Sequence, residues 1–442
     1  MRRYRYRLVG LLALCSVGAS GAVAAQEPAA DSATTEGPSF WHAAAGVATA
    51  NWITWAYNWY VQRRPWANVG TQSWGQNLRE GFVWDNDSFF GNELLHPYHG
   101  SFYHSSARAS GYGFWASFPF VAAGSASWEL FGENITGSLN DLINTTFGGI
   151  ALGEVTYRLS TLLGSRPGQS RAALGRELGA FVLSPMTRVQ GLLQGGGEQP
   201  AALAGSQPDE LASLALGRRS GHPFVELAVR YGSPFEDGPI SPYDAFEFRL
   251  QISPDPEGAV RHVGISGLLA RHTLSRSARS QAVVGVFQHF DYEDLTTLEF
   301  SGHSVSGGVL YQRWLGQRNR MRLGAHLEGI MLGGISSDYG LEWRRTYDLG
   351  PGAGARLGAS LVRDGREWLR LDGRWLWLHS IHGSNADHIA TFLRVGCAVP
   401  LKGALGLGGD LALATRHSSY GAFPSVRQQV PQMRAYLTWV PY

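Results

Sequence analysis

From His222 onward, apolar and polar residues alternate with a period of two, the repeat of an extended strand rather than a helix. Phe246, Phe248, Leu250 and Ile252 fall on one side of such a segment, with Glu247, Arg249, Gln251 and Ser253 on the other. Val225, Leu227, Val229 and Tyr231 oppose Glu226 and Arg230 in the same way. Met321, Leu323, Ala325 and Leu327 oppose Arg322, His326 and Glu328, while Leu369, Leu371, Gly373, Trp375 and Trp377 oppose Arg370, Asp372 and Arg374. The segments are about 10 residues long, separated by Gly, Pro, Asp or Asn, and roughly 12 of them fit between His222 and Tyr442, an even number that closes an antiparallel barrel. Two solvents satisfy this pattern. A soluble sandwich buries the apolar set and wets the polar one; a membrane barrel turns the apolar set to lipid and lines its lumen with charge.

Three features favour lipid. Arg2, Arg3, Arg5 and Arg7 precede the apolar run from Leu8 to Val17, and Ala22, Val23, Ala24 and Ala25 follow, so residues 1–25 read as a cleaved secretory signal peptide. Charged residues make up only 16% of the chain, against roughly 25% in soluble domains. The last segment, Arg434 to Tyr442, places Tyr436, Val440 and Tyr442 on one face, with Thr438 a weaker member, and ends on an aromatic ring. It resembles the C-terminal recognition strand of bacterial outer-membrane barrels, which implies the barrel-assembly machinery as a partner. The expected location is therefore the outer membrane of a Gram-negative bacterium, with outer-membrane lipid around the wall. A mean hydropathy of −0.14 is too polar for a helical-bundle membrane protein. Cleavage leaves Cys397 of two cysteines, so no internal disulfide is expected. A net charge of +2, with Lys402 the only lysine, points to no nucleic-acid partner. The oligomeric state stays open.

The preceding half reads differently. Residues 26–39 are small, polar and Pro-containing, a flexible leader. Phe40 to Val61 carries no formal charge, and Trp41, Ala45, Ala48, Trp52, Trp55 and Trp59 recur at helical spacing. Asn51, Thr54, Asn58 and Gln62 interrupt that surface, so the helix is expected to pack on protein rather than span a membrane. Residues 62–112 are rich in turn formers and read as irregular. Phe114 to Ile135 forms an apolar helix, with Glu129 and Glu133 one turn apart, and Ser138 followed by Asp141 opens a third helix running to about Leu159. Gly149 and Gly153 are spaced for close approach of a neighbouring helix. The expected fold class is α+β: a helical domain over 40–163, a linker with short helices over 164–221, and an antiparallel transmembrane β-barrel over 222–442.

A run of unusual polar residues sits inside the helical part: Trp84-Asp85-Asn86-Asp87, His96-Pro97-Tyr98-His99-Gly100-Ser101, Ala107 to Tyr112, Gly124-Ser125 with Trp128-Glu129, Asn140-Asp141-Leu142, and Gly148-Gly149 with Gly153-Glu154. Over about residues 84–160 this text resembles a bacterial family catalogued as domain of unknown function 3943. The resemblance implies an exported, envelope-associated protein and carries no assigned reaction. A looser similarity through Glu133, Ser138, Asp141 and Gly148 is to VanZ-like membrane proteins, with Thr145 where that pattern has Asn.

Candidate chemistry gathers in the same stretch. His96, His99 and His104, with Glu93 upstream, are candidate metal ligands. Pro97 works against a regular helix presenting His96 and His99 together, so the expectation is imidazoles bonded to neighbouring carbonyls, with no metal and no cofactor. His96, His99, Glu129, Glu133 and Asp141 are candidate acid–base groups, because burial and mutual repulsion raise one pKa of a carboxylate pair. The competing expectation is structural pairing of Glu129, Glu133 and Asp141 with Arg108 and Arg158. No nucleophile elbow, phosphate loop or dinucleotide fingerprint is present. The leading reading is a non-enzymatic outer-membrane barrel whose helical domain serves as plug, scaffold or lipid-contact element. The alternatives are an envelope enzyme acting on a lipid or cell-wall substrate, and a gated solute channel.

Overall fold

The computed structural model describes residues 37–164, 171–194, 213–254, 259–295, 297–340 and 345–440. The expected signal peptide, most of the expected leader and the terminal Tyr442 lie outside the described residues. The chain divides into two compact units, Met1–Ala204 and Gly205–Tyr442.

The first unit contains seven α-helices among its described residues. Helix α1 (Phe40–Ala56) is capped by the Ser39 hydroxyl and continues through a π-helical turn, Tyr57–Val61. Its tryptophan ridge does not all face protein: Trp41 and Trp52 are exposed. Helices α2 (Thr71–Glu80) and α3 (His96–Ala109) fall in the stretch whose composition reads as irregular. Pro97 is the reason α3 is legible only afterwards: it reads as a breaker, yet it follows a π-helical turn, Gly91–Leu95, and its fixed φ suits the helix. Helix α4 (Phe114–Phe131) follows, then α5 (Leu139–Gly164), α6 (Arg171–Leu183) and α7 (Pro185–Leu193). A two-residue parallel pair joins β1 (Phe82–Val83) to β2 (Gly137–Ser138).

Helices α3 and α5 run parallel and touch backbone to backbone. A Cβ on Gly149 would lie 2.5 Å from Gly100 Cα, and one on Gly153 would lie 2.7 Å from His104 Cβ. The glycine spacing therefore lets α3 settle against α5 in a register that every polar contact below depends on.

The second unit is a closed antiparallel barrel of twelve strands: β3 (Ser213–Arg219), β4 (His222–Tyr231), β5 (Phe246–Ile252), β6 (Val260–Arg276), β7 (Ser280–Asp294), β8 (Glu299–Trp314), β9 (Asn319–Ser336), β10 (Tyr347–Arg363), β11 (Arg366–His379), β12 (Ala386–Pro400), β13 (Leu405–Tyr420) and β14 (Val426–Trp439). β14 closes the ring on β3, with Leu437 opposite Leu216. That first strand lies within 164–221; its seven residues, Ser-Leu-Ala-Leu-Gly-Arg-Arg, are too few to display a clear alternation.

Contacts across the ring fix which face is the inside. Glu247 on β5 reaches Arg370 on β11, six strands away in a ring of twelve, at 3.4 Å. Asp291 on β7 meets Arg356 on β10 at 2.5 Å and Arg374 on β11 at 3.1 Å. The charged faces of the alternating segments thus line the lumen. On the opposite face Leu327 (76% exposed), Leu357, Leu371, Leu393, Leu411 and Leu437 stand exposed.

One part of that outer wall departs from the alternation. Phe246 and Phe248 point outward yet are buried. Phe246 stacks on Tyr231 with centroids 5.1 Å apart, and Tyr243 lies across the outer face at Gly267, where a Cβ would collide with its ring, and donates to Gln288 Oε1 at 3.0 Å. The connection between β4 and β5 folds back over the wall here, so of this set only Leu250, in part, and Ile252 stay open to a surrounding solvent.

Overfilling the α3–α5 contact should cost about 1–3 kcal/mol. We expect Gly149→Ala to lower the stability of the helical unit by that amount, read from the helical circular-dichroism transition of the detergent-solubilised chain. Gly175→Ala in α6, where a Cβ meets nothing, should leave it unchanged or slightly raised.

Candidate functional site

The β1–β2 pair brings the chain after Val83 beside the start of α5, and the polar run gathers there. Asp85 N–H donates to Asn140 Oδ1 at 3.1 Å, and Asp85 Oδ1 accepts from Asn140 and from Asn92, both at 2.8 Å. Ser138 caps α5: its hydroxyl accepts the Asp141 N–H, and its own N–H donates to Glu129 Oε2 at 2.7 Å. From the start of α3, His96 places Nε2 3.5 Å from Asp141 Oδ2, while Nδ1 lies 3.1 Å from Thr145 Oγ1 one turn along α5. His96, Glu129 and Asp141 thus converge, with one ligand-type atom of each within 4.8 Å of the others. Glu129 and Asp141 are buried; His96 keeps 15% of its side chain exposed.

The protonation pattern follows from burial without a neighbouring cation. Burial, reinforced by Asp85 and Glu129, pushes the Asp141 carboxyl well above the usual range. Burial and then Glu133 do the same to Glu129. Asp85 behaves oppositely: burial acts upward, but hydrogen bonds from Asp141, Asn140 and Asn92 hold it below its ordinary value. Asp85 is the ionised member and Asp141 the one that keeps its proton. Burial lowers His96 to about 4, so the imidazole is neutral at pH 7 and its contact with Asp141 is no ion pair.

Two turns along α3 a separate cluster forms. Glu154 on α5 is fully buried and accepts from Arg158 Nε at 2.7 Å, meets Arg108 Nε at 2.9 Å and lies 2.8 Å from His104 Nε2. Arg108 also lies over the Tyr157 ring at 5.2 Å. Burial opposes ionisation of Glu154, yet Arg108 and Arg158 hold it far below the usual carboxylate range.

Arg108 and Arg158 thus converge on Glu154, and not on Glu129, Glu133 or Asp141. Glu154 closes the polar run of the helical unit, and its legible signal is Arg158 four residues later on the same helix. Of the candidate acid–base groups, His96, Glu129 and Asp141 come together. His99 and Glu133 go elsewhere: His99 Nε2 meets Tyr103 Oη at 2.9 Å and packs edge-on against Trp128, whose Nε1 donates to Glu133 Oε1 at 2.9 Å. The three histidines do not share a site, because His104 belongs to Glu154. Pairing with a side chain, not with a carbonyl, is what orients each imidazole.

The barrel has a polar constellation of its own. Glu328 accepts from Arg356 Nε at 2.8 Å and from Arg374 Nε at 2.7 Å, and Arg434 meets Asp410 and Glu226. Between these bridges lie cavities of about 170, 220 and 260 Å³ that share Glu247 and Arg370 in their linings. Inward-facing Phe300, Ile330, Leu376, Leu378 and Ala414 pack with Leu295 and Leu298 into an apolar layer across the interior. Alternation reveals which residues face inward, but not that they meet.

Residues 81–186 match the profile of a family described as a domain of unknown function, DUF3943. No curated protein matches the chain. Among solved structures, the NanC porin is similar at 9% identity, covering 52% of this chain and 100% of its own, with a TM-score of 0.28. The KdgM porin is similar at 5% identity over 52% of this chain and 99% of its own, with a TM-score of 0.25. An anion-selective porin from Comamonas acidovorans is similar at 11% identity over 52% and 98%, with a TM-score of 0.19.

Removing Glu154 strands buried charge, so Glu154→Ala should cost about 3–5 kcal/mol in denaturant unfolding of the helical unit. Acid should also weaken this unit through its buried imidazoles. Burial lowers His99 to about 3, and burial lowers His104 despite Glu154. The unfolded chain takes up these protons near pH 6.5, so the stabilisation is complete above that pH and is lost as pH falls toward the folded values. The expected slope is up to about 1.4 kcal/mol per pH unit for each histidine, and it should shrink by that share in His99→Phe.

Proposed function

We propose that the chain is an outer-membrane β-barrel protein whose barrel is a closed anchor rather than an open channel, holding the helical unit at a lipid surface. The observation that carries the reading is the occupied lumen. Ion pairs reach from Glu247 to Arg370, six strands apart, and from Asp291 to Arg356 and Arg374, three and four strands apart, and an apolar layer of Phe300, Ile330, Leu376 and Leu378 crosses the interior as well. Charges in a low-dielectric interior persist when paired and hydrogen-bonded, and separating them to pass a solute costs several kcal/mol.

The apolar outer wall supports lipid as the surrounding solvent. Aliphatic side chains exposed on strand after strand form far more continuous apolar surface than a monomer keeps in water. The helical unit adds Trp41 (78% exposed), Trp52, Tyr60 and Trp115 in a charge-poor stretch. No helix among the described residues is long and apolar enough to cross a membrane. Such a surface suits contact at the interface, where aromatic rings with one polar edge partition. The final strand then serves the barrel-assembly machinery as its recognition segment.

Two measurements test this. In planar bilayers the full chain should show no stable open conductance, whereas Glu247→Gln with Arg370→Gln and Leu376→Ala should produce one; a large steady conductance of the unaltered protein sinks the anchor reading. In outer-membrane preparations, Leu411→Cys in a Cys397→Ala background should resist a charged maleimide until detergent is added. Rapid labelling in the intact membrane would remove lipid from the wall.

A further inference from the structure

We propose that His96, Glu129 and Asp141 form a binding site for one divalent transition-metal ion, with zinc the best-suited of the common probes. Each of the three is already anchored through an atom that a metal would not use. Glu129 Oε2 is held by the Ser138 N–H, Asp141 Oδ1 by Asn140 Nδ2 at 3.0 Å, and His96 Nδ1 by the Thr145 hydroxyl. What remains is His96 Nε2 facing Asp141 Oδ2, and Glu129 Oε1, an oxygen on a side chain only 2% exposed that has no hydrogen-bond partner. A buried carboxylate oxygen without a donor is costly to maintain, and a cation is the partner that would remove the cost.

The charge balance points the same way. The strongest charges acting on Glu129 and Asp141 are those of Glu133, Asp85 and Asp87, all acidic. The nearby guanidinium groups of Arg108 and Arg158 are committed to Glu154. Asp85 and Asp141 also touch carboxyl to carboxyl, a contact that needs either a shared proton or a positive ion beside it. One imidazole with two carboxylates is a donor set that zinc accepts, at bonds of about 2.0–2.2 Å. Ligand atoms on a tetrahedral ion then lie roughly 3.4 Å apart, close to the 3.5 Å between His96 and Asp141. All three atoms lie within 4.8 Å of one another, so a shift of Glu129 or His96 by about an ångström closes whatever separation remains. Three protein ligands leave a fourth position for water, and the partial exposure of His96 supplies the route in. Thr145, bonded to the far imidazole nitrogen, is a positioning residue for the ligand.

The test uses the full chain in detergent, stripped with chelator and titrated with ZnCl₂, with CoCl₂ in parallel. We expect one equivalent of tightly held zinc by elemental analysis, a rise in the melting temperature of the helical unit, and visible Co²⁺ bands of a low-symmetry nitrogen–oxygen site. Glu129→Gln and Asp141→Asn, which keep shape, should each abolish the stoichiometric site. Thr145→Val should weaken it about 10–100-fold. His379→Ala, at an exposed histidine of the barrel, should leave it intact. Unchanged zinc affinity in Glu129→Gln and Asp141→Asn would overturn the proposal. So would a wild-type chain that takes up no zinc and whose helical unit is stabilised by Glu129→Gln, since a protonated carboxyl cluster then accounts for the geometry. The Co²⁺ spectrum of the unaltered protein decides the matter even where a variant fails to fold.

Discussion

The pairing of β14 with β3 is the contact on which the barrel depends, because Arg434–Trp439 bonded to Leu214–Arg219 turns an open sheet into a ring. Closure has a second consequence. Each strand must turn one face inward, and in a ring of twelve those faces lie near enough for long side chains to reach across. Charge placed there has to be neutralised within the ring, and the Glu247–Arg370 and Asp291–Arg356 pairs do this between non-adjacent strands. The interior consequently holds paired charges together with an apolar layer around Phe300 and Leu378.

The helical unit meets the same problem by different means. Glycines at 100, 149 and 153 let α3 and α5 approach until side chains flanking the crossing are forced together. On one side of that crossing the meeting is balanced: Glu154 sits among Arg108, Arg158 and His104. On the other it is not, since Asp85, Glu129 and Asp141 share a neutral imidazole and no arginine. Structural acids are generally given a base in burial, so the unbalanced side is where a function is to be sought.

Much of this was legible beforehand. The period of two in segments such as Leu369–Trp377 fixes inward and outward sets, because successive side chains of a strand must point to opposite faces. Ser138 with Asp141 marks the start of α5, since a hydroxyl at that spacing bonds the N–H three residues on. Two things were hidden. Turn-forming composition masked α2 and α3, where Pro97 reads as a breaker yet follows a π-helical turn without ending the helix. The covering of Phe246 by Tyr243 was hidden as well, because alternation describes a strand and is silent about the loop that folds onto it.

The sequence by itself determined the strand-rich half, the helical half and the polarity of each strand face, all properties set by neighbours a few residues apart. Only the tertiary structure decided which acid met which base: Arg108 with Glu154, Glu247 with Arg370, His96 with Asp141. Those partners are separated by tens to over a hundred positions along the chain. Their meeting is set by helix-crossing register and by closure of the ring, neither of which leaves a local trace in the order of residues.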